Sequence, residues 1–344
     1  MKKFFFIAAA MAAAFVASCD KNPEIYAETT RPDVPVQGSQ VCIVLAEEPC
    51  TRAFFDSTAA AETWEKTLSA LSVFVFDASG NLILRRDFTS PELTAKSATF
   101  ALPKSAAGTT CSFYAVANCD VTTAKSKPTL MALTENAAAV YNGTFTEVST
   151  KALRAGGFVM SGMKDQAVGA VNTSTSVAIT LKRTVAKIAL QATLDPSFAQ
   201  KYGGTLTVNS VKLSRAAAQA LVIASSAPAT GAMTFIHTQT PAAASGKYNA
   251  LFYCYENGAL AAGARVLVEV NATYDQDGNA STTADRSEVT YAVELTGKAS
   301  GEILRNGYYR IAVNITGLVG QDCEVAVTVA EWETPATQSI SLGA

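Results

Sequence analysis

Few side chains in this sequence are placed to do chemistry. One histidine occurs, His237, within Thr234-Phe235-Ile236-His237-Thr238. A lone histidine on a strand-like segment is expected at the surface. A metal site of histidine ligands is therefore unavailable, and a Ser-His-Asp triad would have to be built on His237 itself. Asp275, Asp277 and Asn279 resemble the start of a calcium loop. The required Asp-x-Asp-x-Asp-Gly order is broken, because Gly278 comes too early, and the closing glutamate is missing. A hairpin turn is expected there, and no metal site. The pairs Gly156-Gly157 and Gly203-Gly204 match neither a phosphate loop nor a dinucleotide fingerprint. No carboxylate pair has a local spacing that demands acid–base work. The sequence argues against an enzyme and implies no cofactor.

Chemistry of another kind is written near the N-terminus. Lys2 and Lys3 precede an apolar run, Phe4 to Val16, and Val16-Ala17-Ser18-Cys19 then reads as a bacterial lipobox. Residues 1–18 are thus expected to be a signal peptide, with Cys19 lipidated and becoming the new N-terminus. Of the seven cysteines this leaves Cys42, Cys50, Cys111, Cys119, Cys254 and Cys323. They form no CxxC pair and no metal-ligand spacing. Exported chains can form disulfides, but small buried apolar residues are the preferred reading, with Cys42 inside a strand and Cys111 beside Ser112-Phe113.

A second reactive position is a peptide bond. Val41, Ile43 and Leu45 lie on one face of an extended segment, and Cys42, Val44 and Ala46 on the other. This period of two predicts a strand with at least one buried face. Glu47-Glu48-Pro49 breaks it, and Thr51-Arg52-Ala53 follows, a basic residue before a small one in polar sequence. The order suggests a strand that a protease can cut away after Arg52. Arg31 is the rival site, but Pro32 after it resists trypsin-like cleavage.

The elements that must position these residues are strands. The chain has 344 residues, 49% apolar and 16% charged, enough for two cores, and its net charge of −2 argues against nucleic acid as a partner. Residues 20–40, with Pro23, Pro32 and Pro35, read as a tether. Asp56 to Lys66 reads as a loop with a short helical turn. Leu68 to Phe76 and Leu82 to Arg86 form a hairpin about an Asp77–Asn81 turn. Strands are expected at Ser97–Leu102 and Cys111–Ala117, a helix within Lys127–Val140, and a short strand at Gly156–Gly162. Val177 to Leu194 alternates with a parity slip after Lys182-Arg183, read as two strands with a domain boundary between them. Further strands are expected at Thr205–Leu213, Leu251–Tyr255, Arg265–Tyr274, Ser287–Leu295, Tyr308–Ile315 and Cys323–Val329. Short strands at this spacing predict an all-β chain of β-sandwiches.

Taken in order, several segments resemble the fimbrillins, the subunits of type V fimbriae. They are the lipobox at Cys19, Thr51-Arg52-Ala53, Leu71–Asp77 with its Gly80 turn, Tyr114–Asn118 and Val159–Gly162, then Leu181–Ile188, Phe252–Asn257, Leu304–Ile311 and Val329–Trp332. The resemblance implies two transthyretin-like, Greek-key β-sandwich domains, here 53–183 with a short helix and 184–331. Residues 19–52 would be the propeptide and 332–344 a donor strand. It implies export to the outer membrane as a lipoprotein, cutting after Arg52 by an arginine-specific protease, and loss of the strand carrying Val41, Ile43 and Leu45. The tail of another fimbrial subunit would fill the groove; Ala336, Ile340 and Leu342 share one parity in the candidate donor. The expected function is a shaft subunit of a surface fimbria supporting adhesion, with a host glycan or protein as receptor. Alternatives are an anchor or tip adhesin of the same fimbria, or a monomeric glycan-binding lipoprotein using Trp64, Trp332, Tyr308 and Tyr309 as stacking surfaces.

Overall fold

The computed structural model describes residues 38–46, 54–55, 61–136, 138–225, 233–297, 300–318, 323–331 and 338–342. In chain order the strands are β1 (Ser39–Leu45), β2 (Leu71–Phe76), β3 (Leu82–Asp87), β4 (Ser97–Leu102), β5 (Thr110–Ala117), β6 (Thr134–Glu135) and β7 (Met160–Ala167). Then come β8 (Ser174–Ile179), β9 (Lys182–Arg183), β10 (Val185–Leu194), β11 (Thr205–Ala216), β12 (Ala220–Leu221), β13 (Phe235–Gln239) and β14 (Ala242–Ala244). The last are β15 (Lys247–Tyr255), β16 (Leu267–Asp275), β17 (Arg286–Glu294), β18 (Gly307–Ile315), β19 (Cys323–Glu331) and β20 (Gln338–Leu342). The helices between them are single turns or little more. The chain is all-β, as its alternation predicts. No helix among the described residues is long and apolar enough to cross a membrane.

The strands belong to two compact units, each assembled from separate stretches. The first draws on described residues of Met1–Ala46, Val73–Tyr114 and Met163–Ile179. One of its sheets has the order β4-β1-β8, and β3, β2, β5 and β7 are successive neighbours in another. Val73, Val75, Phe76, Phe113, Leu102, Val177 and Ile179 are all buried. Phe74 and Phe76 stack, and Phe76 meets Tyr114 edge-on at 5.7 Å. Such aromatic pairs add to what burial alone contributes.

The second unit holds Glu47–Ser72, Ala115–Gly162 and Thr180–Ala344, as far as these are described. The boundary expected between Arg183 and Thr184 falls inside the last of these stretches. A six-stranded sheet, β14-β15-β10-β18-β19-β20, faces a four-stranded one, β13-β11-β16-β17. Ile188, Leu190, Phe252, Ile311 and Val313 from the first pack with Val211, Leu213, Val268, Val270, Tyr291 and Val293 from the second. The opposite face of the six-stranded sheet is covered too. Val185, Ala189, Leu251, Tyr253 and Tyr308 pack with Tyr141, Val148 and Phe158. This explains the parity slip after Lys182-Arg183. The first six residues of β10 are all buried, whichever way they point, because both faces of the central strand are inside.

A helix does form within Lys127–Val140, as expected, and it is short. It runs only from Lys127 to Met131, with Pro128 in its first turn, and gives way to β6 and a 3-10 turn at Ala138–Tyr141. The tertiary reason is Glu135. Its buried carboxylate accepts hydrogen bonds from the Tyr141 hydroxyl at 2.7 Å and the Thr184 hydroxyl at 2.9 Å, and pairs with Arg154 at 2.7 Å. A continuous helix would not bring these groups together. The short strand expected at Gly156–Gly162 begins later, at Met160, and Met160 and Ser161 pair with β9.

A second buried polar cluster ties the 3-10 turn Thr63–Lys66 to the same sheet. Glu65 is fully buried, and its Oε1 accepts from Lys187 Nζ at 2.8 Å and from the Tyr253 hydroxyl at 2.7 Å. Arg183, 1% exposed, donates to the Glu65 carbonyl and to Asn306. Burial, and next the Glu65 carboxylate, hold the Tyr253 phenol well above its ordinary pKa, so it stays a donor. Removing one member of a buried pair leaves the other uncompensated. Lys187→Met is therefore expected to destabilise the chain by about 3–5 kcal/mol, and adding Glu65→Gln should recover most of that loss. Urea unfolding of single and double variants measures it; equal losses in both would rule out the pair as the cause.

Candidate functional site

The first strand is the feature around which a site can be built. β1 lies between two partners, antiparallel to β4 (Val41↔Phe100, Ile43↔Ala98) and parallel to β8 (Val41↔Thr175, Ile43↔Val177, Leu45↔Ile179). Val41 and Ile43 are 0% exposed and Leu45 is 6% exposed, while Gln40 and Val44 face outward. Cys42 is buried as well. The strand is pinned at both ends. Ser39 Oγ donates to the carbonyls of Gly169 and Ala170 at 2.7 and 3.0 Å, and the Leu45 and Ala46 N–H groups donate to Lys96 and Ile179 carbonyls. Gly38 lies so near β4 that a Cβ there would sit 1.8 Å from the Leu102 carbonyl oxygen. Burying three such side chains contributes roughly 1.5–3 kcal/mol each. The two hydrogen-bonded ladders stand in addition to this.

Residues 47–53, with Arg52 and Ala53, lie outside the described residues, as does Cys19. The chain is described again at Phe54 and Phe55, and these belong to the second unit, not to the one that holds β1. Phe54 meets Phe145 edge-on at 4.9 Å, and the Arg310 guanidinium sits over Phe55 at 5.6 Å. Phe55 has φ +64°, a left-handed conformation that a bulky residue keeps only when its surroundings hold it there. The polar break thus joins a strand embedded in one unit to an aromatic anchor in the other. Sequence reasoning missed this anchor; the adjacent phenylalanines directly after Ala53 were its signal.

The tail occupies an intramolecular position. β20 is the edge strand of the six-stranded sheet and has one neighbour, antiparallel β19, with Ile340 opposite Val327 and Leu342 opposite Val325. Ala336 lies outside the described residues.

The remaining candidates resolve as follows. His237 is half-buried on β13 rather than at the surface. Its Nε2 lies 3.2 Å from the Gly143 carbonyl oxygen, and its ring stacks on Phe235 and meets Phe252 edge-on. Asp275 ends β16 opposite Arg286, and Gln276–Asn279 open the loop to β17, with the Asp277 carboxylate accepting the Asn279 N–H at 2.8 Å. Asp285 joins these acids from the far side of the loop, a contribution the local motif does not contain. Tyr308 and Tyr309 are buried, and Trp64 is half-buried against Phe158, so they pack the core instead of forming a stacking surface. Trp332 lies outside the described residues. Cys42, Cys111 and Cys254 are buried, and Cys119 is half-buried. Burial pushes the Cys254 thiol up to about 12, and burial followed by the Glu135 charge pushes Cys119 up to about 11.

Comparison with known proteins follows the same lines. Residues 51–215 match the family model of the major fimbrial subunit protein (FimA). No curated protein matches by sequence. Among solved structures, a protein ascribed to cell adhesion from Bacteroides eggerthii is 18% identical with a TM-score of 0.57, over 88% of this chain and 98% of that one. A second such protein, from Parabacteroides distasonis, is 15% identical with a TM-score of 0.61, over 88% and 100%. The tip fimbrial protein Mfa3 from Porphyromonas gingivalis, truncated at its C-terminus, is 14% identical with a TM-score of 0.53, over 85% and 100%.

Burial of these thiols sets an expected reactivity. At pH 8 a brief pulse of iodoacetamide on the native chain should leave Cys42, Cys111 and Cys254 unmodified, and denaturation should expose all three, as peptide mass spectrometry reads directly. The folded Cys254 thiol ionises only near pH 12, and an unfolded one near 8.5. Its contribution to stability is therefore complete below about pH 8.5 and falls as pH rises through that window. The resemblance to the fimbrillins read from the sequence is borne out by the family-model match over residues 51–215; the fimbrial tip protein shares the fold.

Proposed function

We propose that this chain is a non-enzymatic structural subunit of a surface fimbria, matured by cutting after Arg52 and assembled by exchange of strands between copies. The observation that carries the reading is the seating of β1. It is a central strand with two ladders and three buried inward side chains, followed by a polar break and then by Phe54 and Phe55 anchored in the other unit. A cut in that break separates β1 covalently from everything downstream. Its departure would leave β4 and β8 with unpaired edges on either side of an apolar trough, an arrangement that recruits another strand.

The tail has the matching pattern, with Ala336, Ile340 and Leu342 of one parity. On its own chain β20 has a single ladder, to β19. In the trough of a neighbour it would gain two ladders and two large apolar contacts, so transfer is downhill once β1 has gone. Each copy would then receive at one end and donate at the other, a head-to-tail arrangement that does not close. In this reading Cys19 carries lipid that holds the precursor at the outer membrane, residues 19–52 are the propeptide, 53–183 and 184–331 are the two domains, and 332–344 is the donor. The partners are other fimbrial subunits, an arginine-specific protease and a host receptor.

N-terminal sequencing of protein taken from the cell surface tests this. The expected start is Ala53, with detergent-resistant ladders on gels. Arg52→Ala should leave lipidated monomers, and Ile340→Asp with Leu342→Asp should permit trimming but abolish ladders. Normal ladders in either variant would overturn strand exchange at these residues. A surface protein that keeps β1 would make the chain an anchor, and assembly without the tail would make it a tip subunit.

A further inference from the structure

The trough that holds β1 is not apolar along its whole length. The inward positions of β1 are Ser39, Val41, Ile43 and Leu45, all buried. Val41 lies opposite Phe100 and Thr175, Ile43 opposite Ala98 and Val177, and Leu45 opposite Ile179. Ser39, 0% exposed, is the polar exception at one end. Its Oγ donates to the Gly169 carbonyl at 2.7 Å and to the Ala170 carbonyl at 3.0 Å. Ala170 also accepts from the Thr173 hydroxyl at 2.6 Å, whereas the N–H of Gly108 reaches the Gly169 carbonyl at 3.3 Å. A side chain seated here shields these carbonyls from water, so one that cannot donate leaves them a hydrogen bond short. One end of the trough therefore asks for a donor, and the rest asks for apolar groups. The outward positions Gln40 and Val44 are exposed and make no such demand.

We propose that this polar subsite sets the direction and the register in which the tail of a second copy fills the trough, with Gln338 at the place of Ser39, Ile340 at that of Val41 and Leu342 at that of Ile43. The inference rests on the strand-exchange reading and adds to it which residue meets which site. Donor–x–apolar–x–apolar is the pattern of Gln338–Leu342, as it is of Ser39–Ile43, and these five tail residues are the ones extended as β20. The side-chain amide of Gln338 has two N–H groups for the two carbonyls. Sliding the tail two residues toward the Leu45 end would seat that amide at the Val41 site, against Phe100, where a polar group without full partners is costly. It would also bring Ala336, which has no donor, to the Ser39 site. Sliding it the other way would put Ile340 on the carbonyls. A reversed tail with Ile340 at the Ile43 site would carry Gln338 to the Leu45 site, opposite Ile179. The seated tail thus runs as β1 does, antiparallel to β4 and parallel to β8. Position 38 bounds the insertion. A Cβ on the path of Gly38 would sit 1.8 Å from the Leu102 carbonyl oxygen, so Thr337 leaves that path and the seated stretch begins at Gln338.

Cysteine pairs across the trough read the register. In the proposed one Ser339 takes the place of Gln40, whose partner on β4 is Ala101. The full chain carrying Ala101→Cys and Ser339→Cys is expressed on cells, and its surface polymer is oxidised with copper phenanthroline, with single-cysteine variants giving the background. Ladders that survive boiling without reductant and collapse with it are expected. Thr99→Cys with Ser339→Cys reports the two-residue slide, and Ser97→Cys with Ser339→Cys the reversed tail. Boiling-resistant ladders from either pair, or none from the Ala101 pair while unboiled ladders form, overturn the register. If wild type forms no unboiled ladder, strand exchange itself has failed and the register falls with it, a result read separately. A second variant separates the registers by sign. Gln338→Val removes the donor and should shorten the half-life of ladders in warm detergent about tenfold, whereas after the slide it would put valine where Val41 sat and lengthen it. Gln338→Ser, which returns a hydroxyl to the subsite, should stay near wild type. A Gln338→Val polymer as long-lived as wild type, or longer, overturns the proposal.

Discussion

A strand in the middle of a sheet is held from both sides, and that constraint governs what this molecule can do. β1 has β4 on one side and β8 on the other, and Val41, Ile43 and Leu45 point into the interior. Pulling Ile43 out breaks pairs to Ala98 and Val177 together, so both ladders are lost at that position. A strand at a sheet edge, like β20 on β19, lacks this property, because it has one ladder to lose.

The second unit supplies the rigid counterpart. β10 is buried on both faces, with the sandwich core on one and the aromatic layer of Tyr141, Phe158 and Tyr253 on the other. The polar residues inside that layer are not errors of patterning. Glu65, Lys187, Arg183 and Asn306 satisfy one another, and Glu135 gathers Tyr141, Thr184 and Arg154. Each cluster joins segments far apart in sequence, which apolar contacts alone would position less specifically. Phe54 and Phe55 attach to this layer. The chain just after the polar break is thereby anchored in the second unit.

The acids of the β16–β17 loop illustrate a different limit. Two of them, Asp275 and Asp277, are visible as a fragment of a motif, and the fragment fails by the rules of local spacing. Folding the hairpin brings Asp285 back beside them. Side-chain clusters built across a loop do not show a contiguous pattern, because each strand contributes from its own end.

The sequence by itself determined the all-β class, the strand at Val41–Leu45, most of the second unit's strands and the match to the fimbrial family model over residues 51–215. These features are legible because alternation with period two and turn chemistry are local, carried by residues within one segment. Tertiary structure alone decided that β1 has two partners, drawn from residues 97–102 and 174–179, and that the helix within Lys127–Val140 stops at Met131. It also placed β20 on its own chain's edge, set Phe54 and Phe55 apart from β1, and buried Tyr308 and Tyr309. The reason is the same in each case. Pairing partners, burial of both faces of a strand, and the contacts of the carboxylate that interrupts a helix are set by residues outside the segment itself, and local periodicity carries no record of them.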